Sequence, residues 1–285
     1  MILMIKNIAY FPSQVALNGG PVINAVLDQF QSSGIQTQEN SWDSDAAVIW
    51  SVLWNGRMLA NQRVYNHYRS QNKPVVIIEA GALYRGSTWK ISVNHVNALG
   101  YYGHRHNLDL DRPRKLGISL AVNLTNNPAV LITGQHNRSL QLAGIDQEAW
   151  MSDVIAQIRA QSDRPIHVRP HPRCALDWSR LPSNIHREDP KKLDGTYDSF
   201  NIRFDYHAVV NYNSGPGIQA AIAGARPITH ESSLAYPVSV NISNLDQPYT
   251  TDRHRWLAEI CHTEYTLDEI KQATWLKRIQ PALTA

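Results

Sequence analysis

Short apolar runs alternate with longer stretches of helical spacing along the chain, and this alternation restricts the fold more than any other feature. In the first part, the pattern predicts strands at residues 2–11, 46–50 and 74–78 and helices at 18–30 and 58–68. Strands that return beside one another after a helix pair in parallel, and the helices then cover both faces of the sheet. We therefore expect an α/β domain with a parallel sheet.

The same alternation restarts after Asn126-Asn127-Pro128. It predicts strands at 129–133, 166–168, 208–211 and 227–229, helices at 148–160 and 218–223, and a last helix at 267–279 with Thr266 as N-cap and Glu269 as its capping-box partner. The expected fold class is α/β with two Rossmann-like domains, residues 1–125 and residues 126–285. The last helix is a candidate to cross back to the first domain.

The composition limits the partners and the cellular location that we expect for this protein. A chain of 285 residues with a formal net charge of +3 is long enough for two domains, and its mildly basic balance permits a nucleotide, phosphate or nucleic-acid partner without requiring one. The only cysteines, Cys174 and Cys261, show no metal or disulfide spacing, which favours a reducing, cytoplasmic location. No apolar run reaches membrane-spanning length, so no membrane span is expected.

The segment HVRPHPR, residues 167–173, follows a predicted strand and carries cationic side chains at every second position. Its two prolines exclude a helix, and in an extended chain residues two apart face the same way. His167, Arg169, His171 and Arg173 are therefore expected on one side, where they could hold an anion. An ordinary solvated edge with surface charge explains the pattern equally well.

The segment VVNYNSGPGIQAAIAGARPI, residues 209–228, predicts a strand, a glycine turn and a helix. Free amides at a helix start bind phosphate, Gly215 and Gly217 permit close approach, and Ser214 can add a hydroxyl donor. The turn lacks the lysine of a nucleotide-binding P-loop, and small residues for packing are the alternative explanation. Because ligands of open α/β sheets bind at the carboxyl ends of strands, we expect Arg169, His171 and Ser214 to converge on a diphosphate.

Five segments, taken in order, carry a resemblance to a known family. They are IIEAGALYRGS (77–87), GYYGHR (100–105), LITGQHNRS (131–139), HVRPHPR (167–173) and NSGPGIQAAIAGARP (213–227). Together they resemble GT-B glycosyltransferases, particularly the capsule-synthesis (Kdo-transferase-like) group, and phage DNA glycosyltransferases have a similar layout. The resemblance implies two Rossmann-like domains facing a cleft. It departs from the family pattern at Ala80, where a second consecutive acidic residue is common.

The resemblance implies a role for each candidate residue in transfer from a nucleotide sugar. Glu79 is the expected base for the acceptor hydroxyl. Expected donor-binding residues are Gln135, Arg169, His171, Ser214, Gly215, Gly217 and Glu231, with Glu231 accepting hydrogen bonds from ribose. Expected acceptor-binding residues are Arg85, Trp54 and Arg57. Basic and aromatic side chains can also bind nucleic acid, through phosphate contacts and base stacking. For each residue, a structural or surface role is the alternative.

The expected reaction is an inverting, metal-independent sugar transfer with a nucleotide-sugar donor and no other cofactor. The favoured acceptor is a hydroxymethylated pyrimidine in double-stranded bacteriophage DNA, which would place the protein in the host cytoplasm. A capsule or cell-surface polysaccharide transferase is one alternative. A non-catalytic nucleotide or nucleic-acid binding protein is the other.

Overall fold

The computed structural model describes residues 5–122, 126–192, 200 and 204–284. The chain divides into two compact units, Met1–Arg112 together with Ala258–Ala285, and Pro113–Leu257. The division thus follows Arg112, whereas the sequence analysis placed it near residue 125. Residues 258–285, which include the predicted last helix, are grouped with the first unit.

The first unit is built on a six-stranded sheet. Its strands are β1 (Asn7–Tyr10), β2 (Gln36–Glu39), β3 (Ala46–Trp50), β4 (Val75–Ala80), β5 (Thr88–Val93) and β11 (Glu264–Thr266), in the order β11-β5-β4-β3-β1-β2. Its helices are α1 (Gly20–Ser32), α2 (Leu59–Ser70), α7 (Leu267–Lys271) and α8 (Leu276–Ile279). Strands β1 to β4 are parallel, as predicted for β1, β3 and β4, whereas β2 was not predicted. Strands β5 and β11, which the sequence analysis did not predict, add two antiparallel pairings to the expected parallel sheet.

The second unit is built on a five-stranded sheet in which every pairing is parallel. Its strands are β6 (Val130–Thr133), β7 (Ile166–Arg169), β8 (His186–Arg187), β9 (Ala208–Asn211) and β10 (Arg226–Thr229), in the order β10-β9-β6-β7-β8. Its main helices are α4 (Gln147–Arg159) and α5 (Gly215–Ala223), while the short α3 (Arg112–Lys115) enters the unit and α6 (His254–Cys261) leaves it. The predicted α/β class and two Rossmann-like domains are confirmed.

The central strands form where the sequence has apolar runs without alternation. All residues of β3, β6 and β9 are buried, as expected for parallel strands covered on both faces. The N-cap of helix α4 is Asp146, whose carboxyl group accepts a hydrogen bond from Ala149 N at 3.1 Å. Helix α5 ends at Gly224, which has a left-handed φ of 87° that disfavours other residues.

The predicted last helix is interrupted in the structure. Thr266 and Glu269 form the expected capping box, but α7 ends at Lys271 and α8 begins only at Leu276. Between them, Trp275 is fully buried and packs edge-on against Phe30 at a centroid distance of 5.3 Å. The break lets this large side chain reach the core, and that tertiary contact outweighs the local helical pattern.

None of the α-helices in the described part of the chain combines the length and the apolar character that crossing a membrane requires.

Candidate functional site

Four strands of the second sheet end at a common edge because they run in parallel. The segments that follow them directly are Gly134–His136 after β6, Pro170–His171 after β7, Tyr212–Gly215 after β9 and His230–Ser233 after β10. We call this set the carboxyl edge of the second sheet. It contains five of the seven predicted donor-binding residues. The two others are Arg169, the last residue of β7, and Gly217, in the first turn of α5.

The turn between β9 and α5 is organised by the buried side chain of Asn211. Its Nδ2 donates to Thr133 Oγ1 at 3.0 Å and to Ser214 Oγ at 2.9 Å, and its Oδ1 accepts from Ser214 N at 2.7 Å. Ser214 is thereby held as the N-cap of α5, and no side chain caps the first turn. The helix start therefore offers backbone N–H groups and the positive end of the dipole to an anion.

A second set of hydrogen bonds joins the turns after β6, β9 and β10. Gln135 Nε2 donates to Asn213 Oδ1 at 2.9 Å, and Asn213 Nδ2 donates to Ser232 Oγ at 2.9 Å. Gln135 is buried and braces the β9 turn, while its predicted contact with the donor stays a prediction. Asn211, Asn213 and Ser232 were missed by the sequence analysis, although their positions at the end of a predicted strand or shortly after one were a usable signal.

The HVRPHPR segment is extended only as far as Pro170. Beyond it, Cys174 N donates to His171 O at 3.0 Å, and His171 to Cys174 forms a turn. The expectation that all four cationic side chains share one side of an extended segment is therefore wrong. His171 lies at the carboxyl edge as expected, and Arg173 is exposed.

His167 and Arg169 do share a face of β7, and both bind Glu188. His167 Nδ1 lies 2.6 Å from Glu188 Oε1, and Arg169 Nη2 donates to Glu188 Oε2 at 2.8 Å. The Tyr206 hydroxyl also donates to this carboxyl group. In register, Thr133 stands opposite both Arg169 and Asn211, so the Arg169 side chain leaves the same sheet face as Asn211.

These bonds change the acid–base behaviour of Glu188. Burial opposes its ionisation, but the hydrogen bonds from Tyr206, His167 and Arg169 outweigh burial and hold the pKa of the Glu188 carboxyl below its usual range. Burial, together with the neighbouring Glu188, raises the pKa of Tyr206 to about 12. The Arg169 guanidinium is thus engaged by an ionised carboxylate, and its predicted contact with the donor stays a prediction.

Glu79, the predicted base, lies in the first unit at the carboxyl end of β4 and is half-buried. Its Oε2 accepts a hydrogen bond from the Ser51 hydroxyl at 2.7 Å and from Val52 N at 3.2 Å. Ser51, which follows β3, has a φ of 65°, an uncommon value for a residue with a side chain. The turn after β3 therefore fixes the orientation of the Glu79 carboxyl group.

The loop that follows Glu79 is held by a carboxyl group from the last part of the chain. Glu264 in β11 is fully buried and accepts from Ala82 N at 2.7 Å, Leu83 N at 3.0 Å and Thr88 Oγ1 at 2.8 Å. Gly81 makes this approach possible, because a methyl group there would lie 2.4 Å from Glu264 Oε2. No signal in the local sequence pointed to Glu264.

The remaining predicted residues differ in exposure. Arg57, Arg85 and Glu231 are exposed, and their contacts with acceptor or donor stay predictions. Trp54 is buried and packs against Tyr65 with ring centroids 5.8 Å apart. Its indole is therefore a packing group rather than the accessible platform expected for an acceptor.

A surface hollow of about 630 Å³ lies along α2. It is lined by Trp42, Arg63, Asn66, His67 and Ser70 and contains none of the predicted site residues. Across residues 5–122, 126–192, 200 and 204–284, no group of three His, Cys, Asp or Glu side chains is arranged to bind a metal ion.

The fold and the carboxyl-edge geometry together define an α/β protein with two Rossmann-like units, and in the second unit a helix without a side-chain cap starts at the carboxyl edge of the sheet. No protein-family model and no curated protein sequence matches the chain. Among solved structures, it is similar to KpsC of Thermosulfurimonas dismutans, in a structure described as a beta Kdo 2,7 transferase, with a TM-score of 0.52, 13% identity and coverage of 95% of this chain and 99% of the other.

A second KpsC structure from the same organism, described as a beta Kdo 2,4 transferase, matches with a TM-score of 0.52, 12% identity and coverage of 98% of each chain. At such identity the likeness is one of fold. The chain shares the fold of these Kdo transferases, which confirms the GT-B-like fold predicted from the sequence.

Proposed function

We propose that the protein is a glycosyltransferase that uses a nucleotide sugar. The observation that carries the proposal is the carboxyl edge of the second sheet, where Asn211 holds Ser214 at the uncapped start of α5. Phosphate groups bind at such helix starts through backbone N–H groups. The GT-B-like fold shared with the KpsC transferases supports the same function.

In the proposed reaction, the acceptor hydroxyl oxygen forms a bond to the anomeric carbon while the bond from that carbon to the donor phosphate oxygen breaks. The hydroxyl proton passes to Glu79, and the negative charge of the leaving group remains on the phosphate. Attack from the face opposite the leaving group inverts the anomeric centre. N–H donors at the start of α5 stabilise the leaving charge, so the step needs no metal ion.

The bonds around Glu79 suit the role of base. Ser51 and Val52 donate to Oε2, and the Ala80 amide donates to Oε1 at 3.0 Å, so both oxygens are oriented by the ends of β3 and β4. Oε2 uses both of its lone pairs in these bonds, whereas Oε1 keeps one that can accept a proton. Because the carboxyl group is oriented before the reaction, the free energy of orienting it does not add to the activation barrier.

Two acceptors follow from different observations. The sequence analysis favours a hydroxymethylated pyrimidine in double-stranded bacteriophage DNA, reached in the host cytoplasm. The fold likeness to KpsC favours a hydroxyl group of a saccharide, as in a cell-surface polysaccharide. A protein that only binds nucleotides or nucleic acid would carry out neither transfer.

The test combines donors and acceptors with one variant. The protein is incubated with cytidine-, uridine- and guanosine-linked sugars and either hydroxymethylated DNA or oligosaccharides, and the products are weighed by mass spectrometry. We expect transfer to one acceptor class, and in Glu79→Gln a loss of at least about 100-fold in kcat with nucleotide binding unchanged. Glu39→Gln is the matched control, because Glu39 ends the parallel edge strand β2 of the same sheet and is exposed.

Each outcome is informative. Full activity in Glu79→Gln would remove Glu79 as the base. Nucleotide binding without transfer to any acceptor would favour the non-catalytic alternative. Absence of both binding and transfer would overturn the proposal.

A further inference from the structure

His136 is a buried imidazole at the carboxyl edge of the second sheet, and the sequence analysis gave it no role. Only 6% of its surface is exposed, and its Nε2 has no hydrogen-bond partner among the described residues. A buried polar atom without a partner is uncommon in a folded protein and calls for a specific explanation.

The tautomer of this ring follows from its other nitrogen. His136 Nδ1 accepts a hydrogen bond from Arg138 N at 3.1 Å, so Nδ1 carries no proton. In a neutral imidazole the proton is then on Nε2, which is a donor. Burial, together with the charges of Arg173 and Arg138, lowers the pKa of His136, and the ring is neutral near pH 7.

His171 repeats this arrangement at the end of the neighbouring strand. Its Nδ1 accepts from Arg173 N at 3.1 Å, and its ring lies edge-to-face with that of His136 at a centroid distance of 5.2 Å. Gly134 lets the two segments approach, because a methyl group there would lie 2.9 Å from His171 N. The ends of β6 and β7 thus place two imidazoles of the same tautomer side by side.

The same part of the edge is joined to the start of α5. Gln135, next to His136, bonds to Asn213, which directly precedes the N-cap Ser214. A neutral N–H donor fits an oxyanion here, since it brings no charge that must be desolvated, and a hydrogen bond to a charged acceptor is stronger than one between neutral groups.

We propose that His136 donates its Nε2–H to a phosphate oxygen of the nucleotide donor, next to His171. This assignment rests on the proposed function and adds to it a binding residue for the leaving group. The orphaned donor of His136 is then satisfied when the nucleotide is bound, and the bond strengthens as charge develops on the departing phosphate.

Two substitutions separate the hydrogen bond from simple packing. His136→Leu removes the donor, whereas His136→Gln places an amide N–H near the position of Nε2. Binding of CMP, UDP and GDP is measured by calorimetry for the full chain. We expect His136→Leu to bind the nucleotide preferred by the wild type about tenfold or more weakly, and His136→Gln to recover much of that loss. His254→Leu, an exposed histidine at the start of α6, is the matched control and should bind normally.

An NMR measurement on the wild type tests the ring directly. Long-range ¹⁵N–¹H spectra should show the Nε2–H tautomer for His136 and a shift of its signals when the nucleotide is added. If His136→Leu does not fold, this titration decides, and signals unmoved at saturating nucleotide overturn the assignment.

The failures can be told apart. Equal nucleotide binding by wild type and His136→Leu overturns the role of His136 and leaves the proposed function standing. A folded His136→Gln that binds as weakly as His136→Leu also overturns it. A wild-type protein that binds none of the three nucleotides overturns both.

Discussion

In both sheets, predicted site residues lie at the carboxyl ends of strands. The polar groups around these residues differ in their hydrogen bonding. After β4 in the first unit, the loop amides of Ala82 and Leu83 are bonded to the buried Glu264. After β6 in the second unit, Nε2 of the buried His136 has no hydrogen-bond partner among the residues that the structure describes. A loop whose donors are satisfied internally is held in one position, whereas an edge with an unsatisfied donor is prepared for a ligand. The first arrangement suits positioning of a carboxyl group and the second suits anion binding.

The largest effect is expected from removal of the internal anchor. Glu264→Ala removes a carboxyl group that accepts hydrogen bonds from two backbone amides and from the Thr88 hydroxyl, and it opens a cavity. We expect the free energy of unfolding to fall by about 3–5 kcal/mol, measured by urea denaturation. Asp28→Ala, at an exposed site on α1, should change it by no more than about 0.5 kcal/mol. A loss of that small size in Glu264→Ala would show that the loop does not depend on Glu264.

A smaller effect is expected where β6 meets the His171 segment. In Gly134→Ala, the new methyl group would meet His171 N at 2.9 Å and Pro170 Cα at 3.1 Å, so the backbone must shift. We expect a loss of about 1–3 kcal/mol in stability and, from displacement of His171, nucleotide binding weaker by about tenfold. Gly20→Ala is the control, since nothing lies within 4 Å of the added methyl group. Unchanged nucleotide binding in a folded Gly134→Ala would show that the His171 segment does not contribute to the proposed anion site.

The Glu188 cluster should show a defined pH dependence. The pKa of Glu188 is lowered in the folded protein, so its contribution to stability is present above the ordinary glutamate pKa of about 4.3 and is lost as the pH falls through the folded value. We expect Glu188→Gln to be less stable than the wild type by about 1–3 kcal/mol at pH 7, and this difference to shrink below about pH 4. Unfolding free energies between pH 7 and pH 3 check it, and a difference that grows toward low pH would contradict it.

The smallest effect is expected at the end of β10. His230 is exposed and stacks on Tyr212 with ring centroids 4.5 Å apart and planes 11° from parallel. His230→Ala should lower the free energy of unfolding by about 1 kcal/mol through loss of the stacking. His230→Phe keeps an aromatic ring and should recover most of it in thermal or urea unfolding. Equal losses in both variants would assign the effect to the Nδ1 bond with Ser232 N instead.

The strands predicted from the sequence are those with a continuous apolar run. The run at 46–50 matches β3, and the run at 208–211 matches β9. A strand buried on both faces must be apolar throughout, so its own residues reveal it. The strand β2, with the polar sequence Gln36–Glu39, was missed because an edge strand gains its definition from its pairing with β1.

The candidate site likewise has parts that the sequence predicts and parts that it does not. The glycine turn after β9 and the position of His171 after β7 could be predicted, because strand order and turn residues place them at the carboxyl edge. The pairing of Arg169 with Glu188 could not, since these residues lie 19 positions apart and meet only through the packing of β7 beside β8. The burial of Trp54 could not be predicted either, because aromatic and basic residues were selected by type on the expectation that they are exposed.

By itself, the sequence determined the alternation of strands and helices, the α/β class and the glycine-rich start of α5, because these depend on apolar periodicity and backbone freedom over a few residues. The tertiary structure alone decided that Glu264 reaches the loop after Glu79 from 182 positions away, and that within the described part of the chain His136 has a donor without a partner. Both depend on which distant groups become neighbours after folding, and the hydrogen bonds and burial of polar atoms are set by those neighbours rather than by local pattern.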